Sequence, residues 1–150
     1  MDTLSKVSVS SVYVHAPFCS RRCFYCDFAV EVNSSGDLGA WTEALSGELR
    51  AVEREGVFVI SEALKTLYVG GGTPSLLEPV EIASIIETCQ EVFSLSPGTE
   101  ITLEANPETV SLEKLIGFKS SGVTRLSYGV QSFRDDELVR LSRLHSANCA

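Results

Sequence analysis

The feature that most limits the fold of this 150-residue chain is an order: a strand-like run followed by a helix-like run, four times over. Ser8 to His15 reads as a first strand, with Val12 and Val14 on one side and Tyr13 on the other, stopped by Pro17. Asn33 to Gly39 is a polar turn region, after which Trp41, Leu45, Leu49 and Val52 recur at helical spacing from Ala40 to about Glu55. Trp41 is expected to anchor that helix to the sheet. Leu64 to Val69 supplies the second strand, and Pro79 opens a helix whose apolar face holds Ile82, Ile85, Ile86, Cys89 and Phe93. Pro97 and Gly98 turn the chain into a third strand from Glu100 to Ala105. Ser111 then caps a short helix that ends near Gly117 or Gly122. VTRLSYGV is the fourth strand, and Asp135, Asp136 and Glu137 suit the first turn of a last helix carrying Leu138 and Leu141. Such alternation predicts parallel βαβ construction, and periodicity alone leaves an open sheet and a barrel equally available.

Composition narrows the class of partner. With 44% hydrophobic residues and no low-complexity tract, the chain is expected to bury a core. A formal charge of -8 argues against a nucleic-acid groove and against an anionic membrane surface. Neither an apolar leader nor an apolar run of spanning length, about 18 residues, is present, so secretion and membrane spanning are not expected. A cytoplasmic location is the expectation, with a mitochondrion or plastid following from a different N-terminus.

Three of the five cysteines, Cys19, Cys23 and Cys26, fall within eight positions as C-x3-C-x2-C, directly after the first strand. An odd, tight trio is a poor disulfide framework, and buried structural cysteines are not ordinarily clustered in this way. Three thiolates leave a metal one ligand short. Zinc in a structural site would need a fourth, for which His15 is the candidate, whereas an iron-sulfur cluster lacking one ligand can receive a substrate or cofactor. Both readings stand at this point, and a structural zinc or protein-interaction module is the non-enzymic alternative. Cys89, on a packing stripe, is expected to be a small core residue.

The loop YVHAPFCSRRCFYCDF resembles the cluster loop of the radical S-adenosylmethionine (SAM) superfamily, and more narrowly the oxygen-independent coproporphyrinogen III oxidase family. The resemblance implies an α/β fold, a partial TIM-type (β/α)6 barrel of which about the first four units are present. It implies that residues 1–10 are an N-terminal tail and residues 11–150 the N-terminal part of the core domain, with the remaining barrel and a C-terminal domain absent. It also implies that Cys19, Cys23 and Cys26 hold a [4Fe-4S] cluster whose fourth iron chelates SAM, and that reductive cleavage yields a 5'-deoxyadenosyl radical.

Further positions carry over from the same resemblance. GGGTP includes Gly71, Gly72 and Thr73 and looks like the glycine motif that meets the SAM amino group; a phosphate loop is disfavoured because no lysine follows. Glu104 in EANP resembles a SAM-contacting glutamate, with a structural salt bridge as its plainer role. Gln131, in RLSYGVQSF, resembles the residue facing the SAM ribose, and Arg143 the one pairing with the SAM carboxylate. Tyr13 is assigned to the cofactor, or to the scaffold beside it. His145 matches an R-x-H ending, but Ser142 stands where the porphyrin-related branch commonly has glycine. Arg21 and Arg22 add positive charge beside the cysteines.

Within the family, coproporphyrinogen dehydrogenases commonly continue the loop as C-x3-C-x2-C-x-C. Here the last position is Phe28, as in the HemW-like branch of haem chaperones. The expected partners are therefore haem, haem-acceptor proteins and a one-electron reductant, without nucleic acid, and contact with a membrane would be peripheral. The alternative is oxidative decarboxylation of coproporphyrinogen in porphyrin biosynthesis. The two histidines, His15 and His145, both have roles apart from haem, so the sequence gives haem no position.

Overall fold

The computed structural model describes residues 7–32, 38–56, 58–59 and 62–150. Three short strands precede or follow the cysteines or join the main strand from the side: β1 is Val7–Ser8, β3 Phe18–Cys19 and β4 Glu31–Val32. The first strand of the main sheet is β2, Ser11–Ala16. Helix α1 spans Leu38–Glu55, β5 Phe58–Val59, β6 Leu64–Gly71, α2 Pro79–Phe93 and β7 Leu95–Ala105. Then come α3 at Leu112–Ser120, β8 at Arg125–Tyr128 and α4 at Asp135–Arg140.

The main sheet has the order β2-β6-β7-β8 and every pairing in it is parallel. Sequential parallel strands in chain order, each followed by a helix, are the opening units of a (β/α) barrel. One face is apolar: Val14, Ala16, Leu67, Val69 and Leu103 pack with Ile82, Ile85, Cys89, Phe93 and Phe118 from α2 and α3. The other face is polar and aromatic. Tyr13, Tyr68, Thr102 and Arg125 lie in one row across it, because Tyr13 pairs with Tyr68, Tyr68 with Thr102 and Thr102 with Arg125. The period of two in each strand sorts these sets to opposite faces. Cys89 is fully buried, as its helical position implied.

The local signals act much as the residues dictate. Ser111 Oγ accepts from Lys114 N at 3.2 Å, capping α3. Glu81 carboxylate accepts from Glu78 N at 2.7 Å, closing the first turn of α2 behind Pro79. Trp41 meets Phe18 edge-on, with ring centroids 5.4 Å apart, so α1 is anchored to the start of the cysteine loop.

Several boundaries move. The segment expected as one strand from Ser8 is two, because the chain changes partner at Ser10: Val9 N donates to Val59 O on one side, and Lys65 N donates to Ser10 O on the other. For the same reason the expected tail to residue 10 is already tied down at Val7, which pairs with Phe58. Helix α1 starts at Leu38, inside the expected turn region, whose residues 33–37 lie outside the described set. The turn at Pro97 and Gly98 is a bulge within β7: Leu64 pairs with Leu95 but Thr66 with Glu100, and Thr99 Oγ1 bonds Leu64 O to hold the excursion. Helix α3 runs through Gly117 to Ser120.

Candidate cofactor site

At the carboxyl ends of the strands, β2 leads through Pro17 into β3 and the cysteine loop, and β6 leads into Gly72 and Thr73. The two connections are strapped together. Gly72 N donates to Ala16 O at 2.8 Å and Thr73 N to Phe18 O at 2.7 Å. Approach this close needs a residue without a side chain: a Cβ on Gly72 would fall 2.6 Å from Phe18 O. Gly71 has φ +113°, and its amide donates to Glu104 Oε2 at 3.0 Å.

Beside this strap is a cavity of about 220 Å³ lined by all three cysteines of the loop. Its other walls include Gly71, Gly72, Thr73, Glu104, Gln131 and Arg143, so the strand ends bring together every site residue expected from the sequence but Tyr13. Glu104 is positioned by hydrogen bonds, from Gly71 N and from Tyr68 Oη at 2.7 Å. Burial, and then the hydrogen bond to Glu104, push the Tyr68 hydroxyl up, which keeps its proton available for that bond. Gln131 sits at φ +69° just beyond β8.

Arg143 is not a solvent-facing residue. Its side chain is 6% exposed, and Nη2 donates to Asn106 Oδ1 at 2.7 Å and to Gly129 O at 2.9 Å, while Nη1 reaches Cys23 Sγ at 3.6 Å. Burial works against its charge, but Cys23, Glu108 and Tyr25 outweigh that, and the guanidinium stays cationic. Cys19 experiences the opposite balance: burial pushes its thiol up, the Thr73 hydroxyl 3.5 Å away opposes this, and the neighbouring Cys26 and Cys23 raise it further. His145 lies behind Arg143, with Nε2 3.0 Å from Val130 O and Nδ1 3.1 Å from Glu108 Oε2.

Two residues stand outside the cavity lining. Tyr13 is 57% exposed and stacks on Tyr68 at 5.9 Å, on the same sheet face as Glu104 but not among the residues that line the cavity. His15 Nε2 donates to Ala29 O at 2.8 Å and Nδ1 is 3.3 Å from Tyr13 Oη, so the candidate fourth zinc ligand is instead a tie holding the returning arm of the loop. Arg21 and Arg22 are exposed at the cavity rim. Asn106 was legible only as part of a motif. It is the link between walls, accepting from Arg143 and donating from Nδ2 to Thr73 Oγ1 at 3.1 Å. Its signal was its place one residue past the end of β7.

The profile of the radical SAM superfamily matches residues 13–148. The chain belongs to that superfamily. The heme chaperone HemW of Haemophilus influenzae is 37% identical over 147 residues, covering 96% of this chain and 38% of that protein. A bovine relative, "Radical S-adenosyl methionine domain-containing protein 1, mitochondrial", is 39% identical over 142 residues, covering 94% of this chain and 31% of its own length. Among solved structures, coproporphyrinogen III oxidase (HemN) from Escherichia coli, described as a radical SAM enzyme, superposes with a TM-score of 0.80 at 28% identity, over 96% of this chain and 32% of that one. The chain thus spans about a third of the length of these relatives.

Membership implies a [4Fe-4S] cluster and SAM, and the residues can be tested for fit. Among the described residues no three of His, Cys, Asp or Glu converge as a single-ion site. Thiolates that each bind a different iron of a cluster need not converge on one point, and Cys19, Cys23 and Cys26 share one cavity with space in front of them. On the facing wall, Ser142 Oγ and Arg143 Nε are buried without a hydrogen-bond partner. Buried polar groups are ordinarily satisfied, so these two fit a polar ligand in the cavity.

Proposed function

We propose that this chain is the cofactor-holding part of a HemW-like haem chaperone. The observation that carries the reading is Phe28. It lines the cavity two residues after Cys26, at the position where the coproporphyrinogen dehydrogenases commonly have a further cysteine. The relatives named heme chaperone HemW, 33–37% identical across at least 91% of this chain, support the same branch.

On this reading Cys19, Cys23 and Cys26 hold the [4Fe-4S] cluster, which when bound supplies the electron that cleaves SAM. The chain's residues bind and orient. Arg143 pairs with the SAM carboxylate, the glycine strap at Gly71 and Gly72 meets its amino group, Glu104 accepts hydrogen bonds from its amine or ribose, and Gln131 faces the ribose. Thr73 aligns Cys19 through their 3.5 Å contact. Haem and its acceptor proteins are the cargo and partners, with a one-electron reductant. Residues 11–150 are the N-terminal part of a larger core domain, working in the cytoplasm or, with a different N-terminus, in a mitochondrion or plastid. No described helix is long and apolar enough to cross a membrane.

The second reading, coproporphyrinogen dehydrogenase, is favoured by the likeness to HemN. Anaerobic reconstitution separates the readings when iron and zinc are quantified and SAM, haem and coproporphyrinogen III are then added in turn. About four irons per chain, a SAM-dependent spectral change and haem uptake without porphyrinogen turnover are expected. Turnover would establish the second reading, and one zinc with no response to SAM would end both.

A further inference from the structure

Helix α4 ends in an exchange of backbone bonds that ordinarily calls for glycine. Arg143 N donates to Leu138 O at 2.9 Å and Ser142 N to Val139 O at 3.0 Å, the paired 6→1 and 5→2 bonds of a Schellman motif. The residue in the left-handed position is Ser142, with φ +58°. A side chain in that conformation is strained, where glycine would not be.

The hydroxyl gains nothing inside the protein in return. Ser142 is 5% exposed and its Oγ has no hydrogen-bond partner. The neighbouring Arg143 Nε, also buried, has none either, although the rest of that guanidinium is held by Asn106, Gly129 and Cys23. Both residues line the cavity in front of the cysteines. An N–H that can only donate, next to a hydroxyl that can donate, matches an oxygen anion with free lone pairs. A carboxylate answers both.

We infer that Ser142 is a binding residue, donating from Oγ to the carboxylate of an α-amino-acid nucleoside beside Arg143, a contact that glycine at this position could not make. The inference rests on the reading that the cavity takes SAM. The strained serine is kept because the ligand, and not the fold, satisfies it.

The test is isothermal titration calorimetry on the anaerobically reconstituted protein, with S-adenosyl-L-homocysteine and with 5'-methylthioadenosine, which lacks the amino-acid end. Ser142→Ala keeps the Cβ and removes the hydroxyl, while Ser142→Gly also relieves the backbone. Both variants should bind S-adenosyl-L-homocysteine about ten- to a hundredfold more weakly, the worth of one hydrogen bond to a charged group, with 5'-methylthioadenosine unchanged. The glycine variant without ligand should unfold at a higher temperature than the parent, so weaker binding cannot be ascribed to poorer folding. Unchanged affinity for S-adenosyl-L-homocysteine in both variants, or an equal loss for both nucleosides, would overturn the role of Ser142 while leaving the cofactor assignment standing. A parent protein that binds neither nucleoside would overturn the assignment itself.

Discussion

Arg143 shows how much of this site depends on the shape of a single group. Its fork spans Asn106 Oδ1 and Gly129 O while turning Nη1 toward Cys23, so one planar cation joins the ends of β7 and β8 to the cysteine loop. Lysine offers a point charge on a flexible stem and cannot occupy these directions together. Arg143→Lys should weaken S-adenosyl-L-homocysteine by about ten- to a hundredfold, the range for a hydrogen bond to a charged group, as read by calorimetry. Cys89 makes the contrasting case of a thiol with no chemistry. Burial alone pushes it up to about 12 from an ordinary 9.0. Only the thiolate is nucleophilic, so iodoacetamide at pH 8.5 should leave Cys89 unlabelled in the folded protein and label it in denaturant, as peptide mass mapping would reveal. The sign of its pH effect follows. Below about pH 9 both states carry the proton and stability is unaffected; above it the unfolded thiol ionises first, so stability falls as pH rises toward 12.

At the scale of elements, the site is a junction of loops held by backbone contacts. The strap from Gly72 and Thr73 to Ala16 and Phe18 fixes where the cysteine loop leaves the sheet, and His15 to Ala29 O fixes where it returns. Gly72→Ala puts a methyl group 2.6 Å from Phe18 O and 2.9 Å from Pro17 O, against backbone that no rotamer change can move aside. A loss of about 1–3 kcal/mol is expected in urea unfolding, as for overpacking, together with less than half the parent's iron after reconstitution. Iron retained at the parent level would mean that the strap does not position the cysteines. His145 plays the matching part at the far wall, connecting the Glu108 carboxylate to Val130 O next to Gln131. The first tie spans 14 residues, from His15 to Ala29, and the second links His145 to Glu108, 37 residues away.

Across the whole molecule, the four parallel strands form the opening part of a barrel and, among the described residues, do not close into a ring. Strand β8 has β7 as its one neighbour in the sheet among the described residues. Leu126 is in register with the fully buried Leu103 yet is 39% exposed itself. An uncovered apolar residue on an edge strand invites pairing with a second copy. Sedimentation velocity should therefore show concentration-dependent self-association, reduced by Leu126→Lys; a monomer at every concentration would refute this. Local patterns in the chain carried the succession of strands and helices and the place of Cys19, Cys23 and Cys26 just beyond the first strand, because periods of 2 and 3.6 and a tight cysteine spacing are local properties, and the family was legible through the resemblance of YVHAPFCSRRCFYCDF. Phe28 was legible for the same reason. Tertiary structure decided who shares the cavity. Cys23 and Arg143 are 120 residues apart and meet because parallel register delivers every strand's carboxyl end to one rim. That register recruited Asn106 and Ser142, turned Arg143 inward, and kept Tyr13 and His15 out of the cavity lining, since contact across a sheet depends on which strands pair and where, and no local pattern encodes that.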